Sequence, residues 1–145
     1  MQGRTHRTHT RVRFGETDAA GIVFYPTFFA WFDLGVQGLL HAATGALSAR
    51  GGRPRWPLPI VESGARFSAP LFFDDAIVIR TTVTELGRSS LRFEHAVLKD
   101  EVEVARGFEV RVFISAEGEG IASAPIPKEL RAALAEETSS GCEVA

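Results

Sequence analysis

The sequence has little that would allow covalent or membrane stabilisation. A single cysteine, Cys142, cannot form an internal disulfide, so a disulfide scaffold is excluded and a reducing compartment is favoured. No apolar run approaches the ~18 residues of a membrane span; the most apolar segment, 21–32, is interrupted by Pro26 and closed by Asp33. The first ten residues lack the apolar stretch of a secretory signal. These absences predict a cytoplasmic protein.

Several kinds of functional site are also missing. The net charge of −2 gives no field that would attract nucleic acid or an anionic membrane. No Cys/His cluster has metal-ligand spacing, no Gly-rich phosphate loop is present, and no Gly-x-Ser-x-Gly elbow occurs. We therefore expect neither a metal nor a bound cofactor.

What remains is an ordinary globular composition. The chain has 145 residues, of which 45% are hydrophobic and 23% charged, enough to bury a core without covalent support. We expect one domain over residues 1–145, with loose polar tails at about 1–7 and 138–145.

One long helix dominates the amino-terminal half. Pro26 suits its first turn, Gly45 suits its end, and apolar side chains cover most of its circumference, so we expect it to be buried on nearly all sides. Gly35 and Gly38 weaken the helix, and their compensation is expected to be close approach of a sheet or a partner helix.

Strand-like segments surround this helix in the chain. A first strand is expected at 8–14, four more at 58–68, 76–86, 89–99 and 102–115, and a short helix at 127–137. The order predicts an α+β fold in which one antiparallel sheet covers one helix. Such a sheet leaves an edge and an apolar patch exposed, so we expect at least a dimer.

The loop before the helix is the most informative segment for function. Asp18 lies among small residues in the segment 15–21, and an apolar run and a helix start follow it. The apolar run is expected to desolvate Asp18 and raise its basicity, and the helix start offers backbone N–H groups near Tyr25. This combination meets the needs of acyl transfer. The alternative is that Asp18 is a turn or capping residue.

The segment 14–26, Phe-Gly-Glu-Thr-Asp-Ala-Ala-Gly-Ile-Val-Phe-Tyr-Pro, resembles the signature of the 4-hydroxybenzoyl-CoA thioesterase family. The resemblance implies the hotdog fold, a curved five-stranded antiparallel sheet wrapped around one long buried helix. It continues at Trp31, Asp33, Pro59-Ile60-Val61, Phe67, Asp74-Asp75 and Arg111-Val112-Phe113.

The resemblance also implies roles for two residues. Asp18 takes the place of the family's catalytic aspartate, which attacks the thioester carbonyl or activates a water, and the backbone N–H of Tyr25 polarises the carbonyl oxygen. The acyl group is expected at a subunit interface of a homodimer or homotetramer. Coenzyme A belongs to the substrate, so no separate cofactor is implied.

The sequence departs from the family at two pocket positions. Leu58 replaces a threonine that contacts the aryl hydroxyl, and leucine forms no hydrogen bond. Glu62 replaces a small polar residue. It alternates with Val61, and it is either a second carboxylate in the pocket or a partner for Arg66 or another arginine.

The remaining binding residues concern the phosphates and the ring. The family's phosphate-binding arginines correspond to Gly120 and Ala122, whereas Arg88 falls near a CoA-contacting position. Aromatic side chains for the pocket are expected from Phe24, Phe28, Phe72 and Phe73.

We therefore expect an acyl-CoA thioesterase acting on an aromatic acyl-CoA of the benzoyl or hydroxybenzoyl type. The alternatives are a short- or medium-chain acyl-CoA or acyl-carrier-protein thioesterase, a hotdog hydratase or dehydratase, and a non-enzymatic acyl-CoA-binding module.

Overall fold

The computed structural model describes residues 2–48, 52–115 and 120–136, together with the backbone of 139–143. In these ranges the predicted order of strand, long helix and four strands is confirmed. The elements are β1 Thr5–Arg11, α1 Thr27–Thr44, β2 Ile60–Phe67, β3 Ala76–Leu86, β4 Ser90–Lys99, β5 Val102–Val112, β6 Ile114–Ser115, β7 Ala122–Ser123, α2 Lys128–Ala135 and β8 Ser139–Glu143.

The main sheet has the strand order β2-β5-β4-β3-β1-β8. Its first five strands pair antiparallel with their neighbours, and β8 runs parallel to β1. The β3–β4 and β4–β5 connections are short hairpins, as their turn lengths predict. Of the five antiparallel strands, β2 lies at the edge.

The amino-terminal arm is not loose. Thr5–Arg7 belong to β1 and pair with β3, and the Gly3 N–H donates to the Val83 carbonyl at 2.8 Å. The buried Arg4 donates from Nε to the Ala133 carbonyl at 3.0 Å, which fastens the arm to α2. For Gly3–Arg7 the expectation of a loose tail is therefore wrong, because this polar segment forms ladder hydrogen bonds rather than bonds to water. Residue 1 lies outside the described residues.

The carboxyl-terminal tail also differs from the expected loose segment. The backbone of Ser139–Glu143 pairs with Thr5–His9 of β1. The pairing gives the outer edge of β1 a neighbour that the apolar pattern of the sequence does not reveal. Residues 138, 144 and 145 lie outside the described residues.

Helix α1 has the predicted bounds. Pro26 precedes it, and Gly45 follows with φ 81°, a left-handed conformation that glycine adopts without strain. It buries one broad face, but Asp33 and His41 are exposed, so the expectation of burial on nearly all sides is wrong. One sheet covers only one face of a helix. Among the described residues, no helix is long and apolar enough to span a membrane.

The close approach expected at the helix glycines is confirmed. A Cβ on Gly35 would overlap the Thr81 side chain of β3 and reach 3.0 Å from Ile79. A Cβ on Gly38 would lie 2.9 Å from the Thr8 hydroxyl. The helix therefore lies directly on β1 and β3, which fixes the position of its first turn.

The buried apolar side chains form two clusters along α1. One surrounds the amino-terminal half of the helix and includes Val23, Phe28 and Trp31. The other surrounds the carboxyl-terminal half and includes Leu58 and Leu130. The loop that carries Asp18 is thus anchored to the first cluster through Val23.

Candidate active site

The segment between β1 and α1 folds into a small, closely hydrogen-bonded loop. Thr17 and Val23 form an antiparallel bridge. Inside it, the Asp18 N–H donates to the Ile22 carbonyl at 2.9 Å, and the Gly21 N–H donates to the Asp18 carbonyl at 3.0 Å. Gly21 has φ 83°, which glycine tolerates best, so the small residues of this segment permit a tight reversal with Asp18 inside it.

The Asp18 carboxylate is held through one oxygen only. Its Oδ1 accepts the Ala20 N–H at 2.8 Å, and Oδ2 has no partner among the described residues. The side chain is exposed, so the expectation that the following apolar run desolvates it is not met by one chain. Val23 turns into the core and Phe24 turns outward, and neither covers the carboxylate. In the single chain the Asp18 carboxylate therefore remains in contact with solvent.

The Tyr25 amide is the available donor at the beginning of α1. Thr27, Phe28 and Phe29 direct their N–H groups to carbonyls three residues earlier, at 2.9 to 3.1 Å. Pro26 has no N–H, whereas the Tyr25 N–H has no acceptor among the residues that the structure describes. Only one of the expected free N–H groups remains, because tight helical turns use the others.

The direction of this amide follows from the peptide plane. The Phe24 carbonyl accepts the Thr27 N–H at 2.9 Å and so points into the first turn of α1. In a trans peptide the next N–H points the opposite way, so the Tyr25 N–H faces away from the helix. It is therefore presented to a ligand oxygen rather than to the chain itself.

An apolar groove of about 390 Å³ is lined in part by Tyr25. Phe28 and Phe67 meet in it edge to face, with ring centroids 4.9 Å apart. The volume lies within the range of small-molecule sites. Its lining residues are Ile22, Val23, Tyr25, Phe28, Phe67, Ser68, Ala69, Pro70 and Leu71.

Three of the four aromatic residues expected to line the pocket lie elsewhere. Only Phe28 lines the groove. Phe24 packs on Tyr25 with centroids 5.5 Å apart, and Phe73 packs on Phe14 at 5.8 Å. These rings, with Phe72, stay largely exposed, so they form an aromatic surface around the loop rather than an enclosed pocket.

The turn that borders the groove is braced by a carboxylate. Asp75 Oδ2 accepts the Phe72 N–H at 2.8 Å, and Asp75 Oδ1 pairs with Lys99 at 3.0 Å. Partial burial acts to raise the pKa of Asp75, but the Phe72 N–H and Lys99 outweigh it and hold that pKa below its usual range. The charge thus stabilises the turn that presents Phe72 and Phe73.

Leu58 does not join Asp18 within one chain. Its side chain is buried in the cluster at the carboxyl-terminal half of α1, and its carbonyl accepts Arg111 Nη1 at 3.0 Å. The side chain expected to contact the acyl group is therefore a core residue here.

Glu62 and Arg88 are also separate from the loop. Glu62 is exposed on β2, where a bulge between Ile60 and Glu62 breaks the alternation expected with Val61. It makes no ion pair with Arg66 or any other described residue. Arg88 is exposed in the β3–β4 turn, and only its carbonyl is engaged, by the Ile126 N–H at 2.9 Å and by Arg131.

A network of buried polar side chains lies beneath α1 and was not expected from the sequence. Thr81 Oγ1 lies 2.8 Å from His95 Nδ1, and His95 Nε2 lies 3.0 Å from Glu109 Oε2. Arg111 Nη2 then donates to Glu109 at 3.1 Å and to Asp33 of the helix at 2.9 Å. Buried charged side chains are tolerated where they are paired in this way, so this network joins α1 to the sheet.

The apolar alternation of β5 does not indicate this network. Val110 and Val112 suggest an apolar face, yet Glu109 and Arg111 are the buried residues and the valines are half-buried on the opposite face. A bulge in the β4–β5 ladder at Val97 shifts the pattern. The available signal was the pair of opposite charges two residues apart in a central strand.

The structure offers no evident metal centre. Within residues 2–48, 52–115 and 120–136, no three His, Cys, Asp or Glu side chains are grouped to hold an ion. The arrangement of carboxylate, amide and groove is instead suited to a carbonyl substrate.

Comparison with known proteins shows the family to which this chain belongs. Residues 12–134 match the model of the thioesterase-like superfamily. The chain is 30% identical over 134 residues to a 4-hydroxybenzoyl-CoA thioesterase of Pseudomonas sp. strain CBS-3, covering 82% of this chain and 89% of that protein. It is 31% identical over 114 residues to a 1,4-dihydroxy-2-naphthoyl-CoA hydrolase of Synechococcus sp. strain WH7803, covering 74% of each.

A solved structure supports the same assignment. The structure of a gentisyl-coenzyme A thioesterase superposes with a TM-score of 0.75 at 36% identity, covering 90% of this chain and 99% of that one. The expected hotdog fold is thereby confirmed. The chain belongs to the thioesterase-like superfamily, as a hotdog-fold acyl-CoA thioesterase.

Proposed function

We propose that the protein hydrolyses an aromatic acyl-CoA, of the benzoyl or hydroxybenzoyl type, to the free acid and CoA. The observation that carries this proposal is the joint placement of two unpartnered groups by one short loop. Asp18 Oδ2 and the Tyr25 N–H both lack partners among the described residues, and an aromatic groove adjoins Tyr25.

The chemistry follows from these groups. The thioester carbonyl oxygen accepts the Tyr25 N–H, which stabilises the negative charge that develops on it. Asp18 either attacks the carbonyl carbon, giving an anhydride that water then opens, or takes a proton from the water that attacks. In both routes the C–S bond breaks and the CoA thiolate leaves, to be protonated later.

The aromatic acyl class is supported by the groove and by the relatives. Phe28 and Phe67 offer an edge-to-face pair that a third ring can join. The three similar proteins are named for 4-hydroxybenzoyl-, 1,4-dihydroxy-2-naphthoyl- and gentisyl-CoA. Leu58 offers no hydrogen bond to a ring hydroxyl, so benzoyl-CoA is expected to serve as well as 4-hydroxybenzoyl-CoA.

A second copy of the chain is the proposed source of the missing enclosure. Asp18 is open to water, whereas the candidate binding residues Glu62 and Arg88 lie away from it on the same chain. Pairing of two molecules along the β2 edge would cover the exposed Ile60, Val61 and Phe67. We therefore propose a homodimer or homotetramer with the acyl site at the interface.

A straight-chain acyl group is the second candidate. The groove is also lined by the aliphatic residues Ile22, Val23 and Leu71, which would accept a short or medium acyl chain carried by CoA or by an acyl-carrier protein.

A thioester panel tests the proposal. Free-thiol release is measured with benzoyl-, 4-hydroxybenzoyl-, acetyl- and hexanoyl-CoA and with a hexanoyl-carrier protein. We expect the aromatic substrates to have the highest kcat/KM, by about tenfold or more, since aromatic stacking is lost with an alkyl chain. A preference for hexanoyl thioesters would support the second candidate, and ligand binding without thiol release from any substrate would overturn both.

A further inference from the structure

Glu16 lies at the base of the Asp18 loop, and each oxygen of its carboxylate accepts one hydrogen bond. Oε1 accepts the Arg13 N–H at 2.7 Å, where the chain leaves β1. Oε2 accepts the indole Nε1–H of Trp31, in the second turn of α1, at 3.0 Å. One side chain therefore joins the entry of the loop to the helix that follows it.

The main chain of Glu16 makes a further connection. Its carbonyl accepts the Phe24 N–H at 2.9 Å. Phe24 in turn supplies the carbonyl that orients the Tyr25 amide, and the bridge between Thr17 and Val23 follows directly along the loop. Glu16 is thus bonded on both sides of the segment that contains Asp18 and Tyr25.

The partner on the helix is rigid. Trp31 is 3% exposed and packs edge to face on Phe28 with ring centroids 5.0 Å apart. A buried indole N–H needs an acceptor, and Glu16 is the one it has. The position of the loop is therefore set by a contact with the core rather than only by contacts among loop residues.

We propose that Glu16 is a positioning residue for thioester hydrolysis, holding the Asp18 carboxylate and the Tyr25 amide at a fixed separation through its bonds to Arg13 and Trp31. This inference rests on the proposed function. Both oxygens of Glu16 accept hydrogen bonds from the chain itself, so the proposed role acts through the loop and not by direct contact with the substrate. Only a carboxylate fits, since an amide would turn one NH₂ donor towards an N–H.

The test compares three variants. Glu16→Gln keeps the shape and removes one acceptor, and Trp31→Phe removes the indole donor. Trp56→Phe is the matched control, because Trp56 also donates its indole N–H, to Thr44 Oγ1 at 3.1 Å, but at the far end of α1. Benzoyl- and 4-hydroxybenzoyl-CoA hydrolysis and thermal unfolding are measured for each.

We expect Glu16→Gln and Trp31→Phe each to lower kcat by about 10- to 100-fold while KM changes by less than about threefold, because misplacement acts on the transition state. The kcat of the double variant should lie within about twofold of that of the slower single variant, since both changes break the same hydrogen bond between Glu16 and Trp31. Trp56→Phe should retain the wild-type kcat.

A spectroscopic readout reports the bond apart from activity. The sequence has two tryptophans, so a ¹H–¹⁵N spectrum shows two indole signals, which Trp31→Phe assigns. Glu16→Gln should move the Trp31 signal and leave that of Trp56 in place.

The outcomes separate the two proposals. If the wild type hydrolyses aromatic acyl-CoA but kcat is unchanged in Glu16→Gln and Trp31→Phe, the positioning role is wrong and the proposed function stands. An equal fall of kcat in Trp56→Phe, or an unmoved Trp31 signal in Glu16→Gln, also contradicts it. If the wild type hydrolyses no thioester, both proposals fail together.

Discussion

Asp18 combines exposure with partial restraint. One carboxylate oxygen is fixed by the Ala20 N–H, and the other has no partner among the described residues, which leaves a lone pair for a carbonyl carbon or a water. A residue that served only to close the turn would need nothing more than the first oxygen. At the helix start, the Tyr25 N–H likewise has no acceptor among the described residues. A helix start with a purely structural role would not need a donor that faces outward.

His6 provides a residue-scale test of stability. It is buried in β1, where burial, then the charge of Arg4 and then His9 lower its pKa from the ordinary 6.5. Below that pH the unfolded chain binds a proton that the folded chain does not. Stability should therefore fall as the pH drops from 7 to 5, with a limiting slope of about 1.4 kcal/mol per pH unit.

Chemical denaturation at pH 7, 6 and 5 measures this loss. His6→Gln should flatten the slope, whereas His9→Gln, on the exposed face of the same strand, should keep most of it. The lowered pKa values of Asp75 and Glu103 act elsewhere, since their stabilisation is lost only below the ordinary values of 3.8 and 4.5. Equal slopes for the wild type and His6→Gln would refute the assignment.

At the scale of elements, periodicity was a reliable guide to the helix and the central strands. Helix α1, β3 and β4 begin and end within one residue of expectation. Pro26 and Gly45 mark the ends of the helix, and short turns mark the ends of the strands. In β5 the apolar alternation does not mark the buried face. A bulge changes which residues point inward, and an alternating pattern carries no mark of the bulge itself.

Gly107 of β5 tests the packing of helix on sheet. A Cβ there would overlap the Phe32 ring of α1 and lie 3.0 Å from the Gly64 carbonyl. Gly107→Ala should lower the free energy of unfolding by about 1–3 kcal/mol, since the core has no space for a methyl group. Gly120→Ala, where a Cβ would meet no described residue within 4 Å apart from its chain neighbours, should be near neutral. A stabilised Gly107→Ala variant, measured by chemical denaturation, would show that helix and sheet are not in this contact.

At the scale of the whole molecule, a single chain leaves much of its aromatic and aliphatic surface uncovered. Phe24, Tyr25 and Phe67 near the loop and Val61 on the β2 edge are between 46% and 62% exposed. Contiguous apolar surface of this kind marks an interaction site, and an edge strand offers unpaired backbone groups beside it.

Val61→Lys tests assembly along β2. If the proposed oligomer forms along this edge, a lysine there should reduce the sedimenting species to the 15.8 kDa chain and lower thioester hydrolysis by about tenfold or more, because charge on an edge strand opposes pairing. Val102→Lys is the matched control, since Val102 is 65% exposed at the first residue of β5, and it should change neither. A monomeric, fully active wild type would contradict the shared site.

The site itself was only partly predictable. The loop motif indicated Asp18 and the helix start near Tyr25 as candidates, because small residues before an apolar run and a helix start leave a local signature. Their roles stay a prediction. Leu58, Glu62 and Arg88 were assigned by resemblance, and one chain keeps them apart from the loop. In the proposed homo-oligomer, Glu62 and Arg88 would meet Asp18 only across a contact between molecules, which no pattern along a single sequence encodes.

The central claim is that the Asp18 carboxylate drives thioester hydrolysis, and the rate of CoA release by Asp18→Asn tests it most directly. The wild type and the variant are compared with benzoyl-CoA at equal sedimentation mass and melting temperature. We predict that turnover falls by about 100-fold or more in Asp18→Asn, the usual effect of losing a positioned acid or base. Turnover within about twofold of the wild type would contradict the account, since a positioned acid or base is worth far more than that.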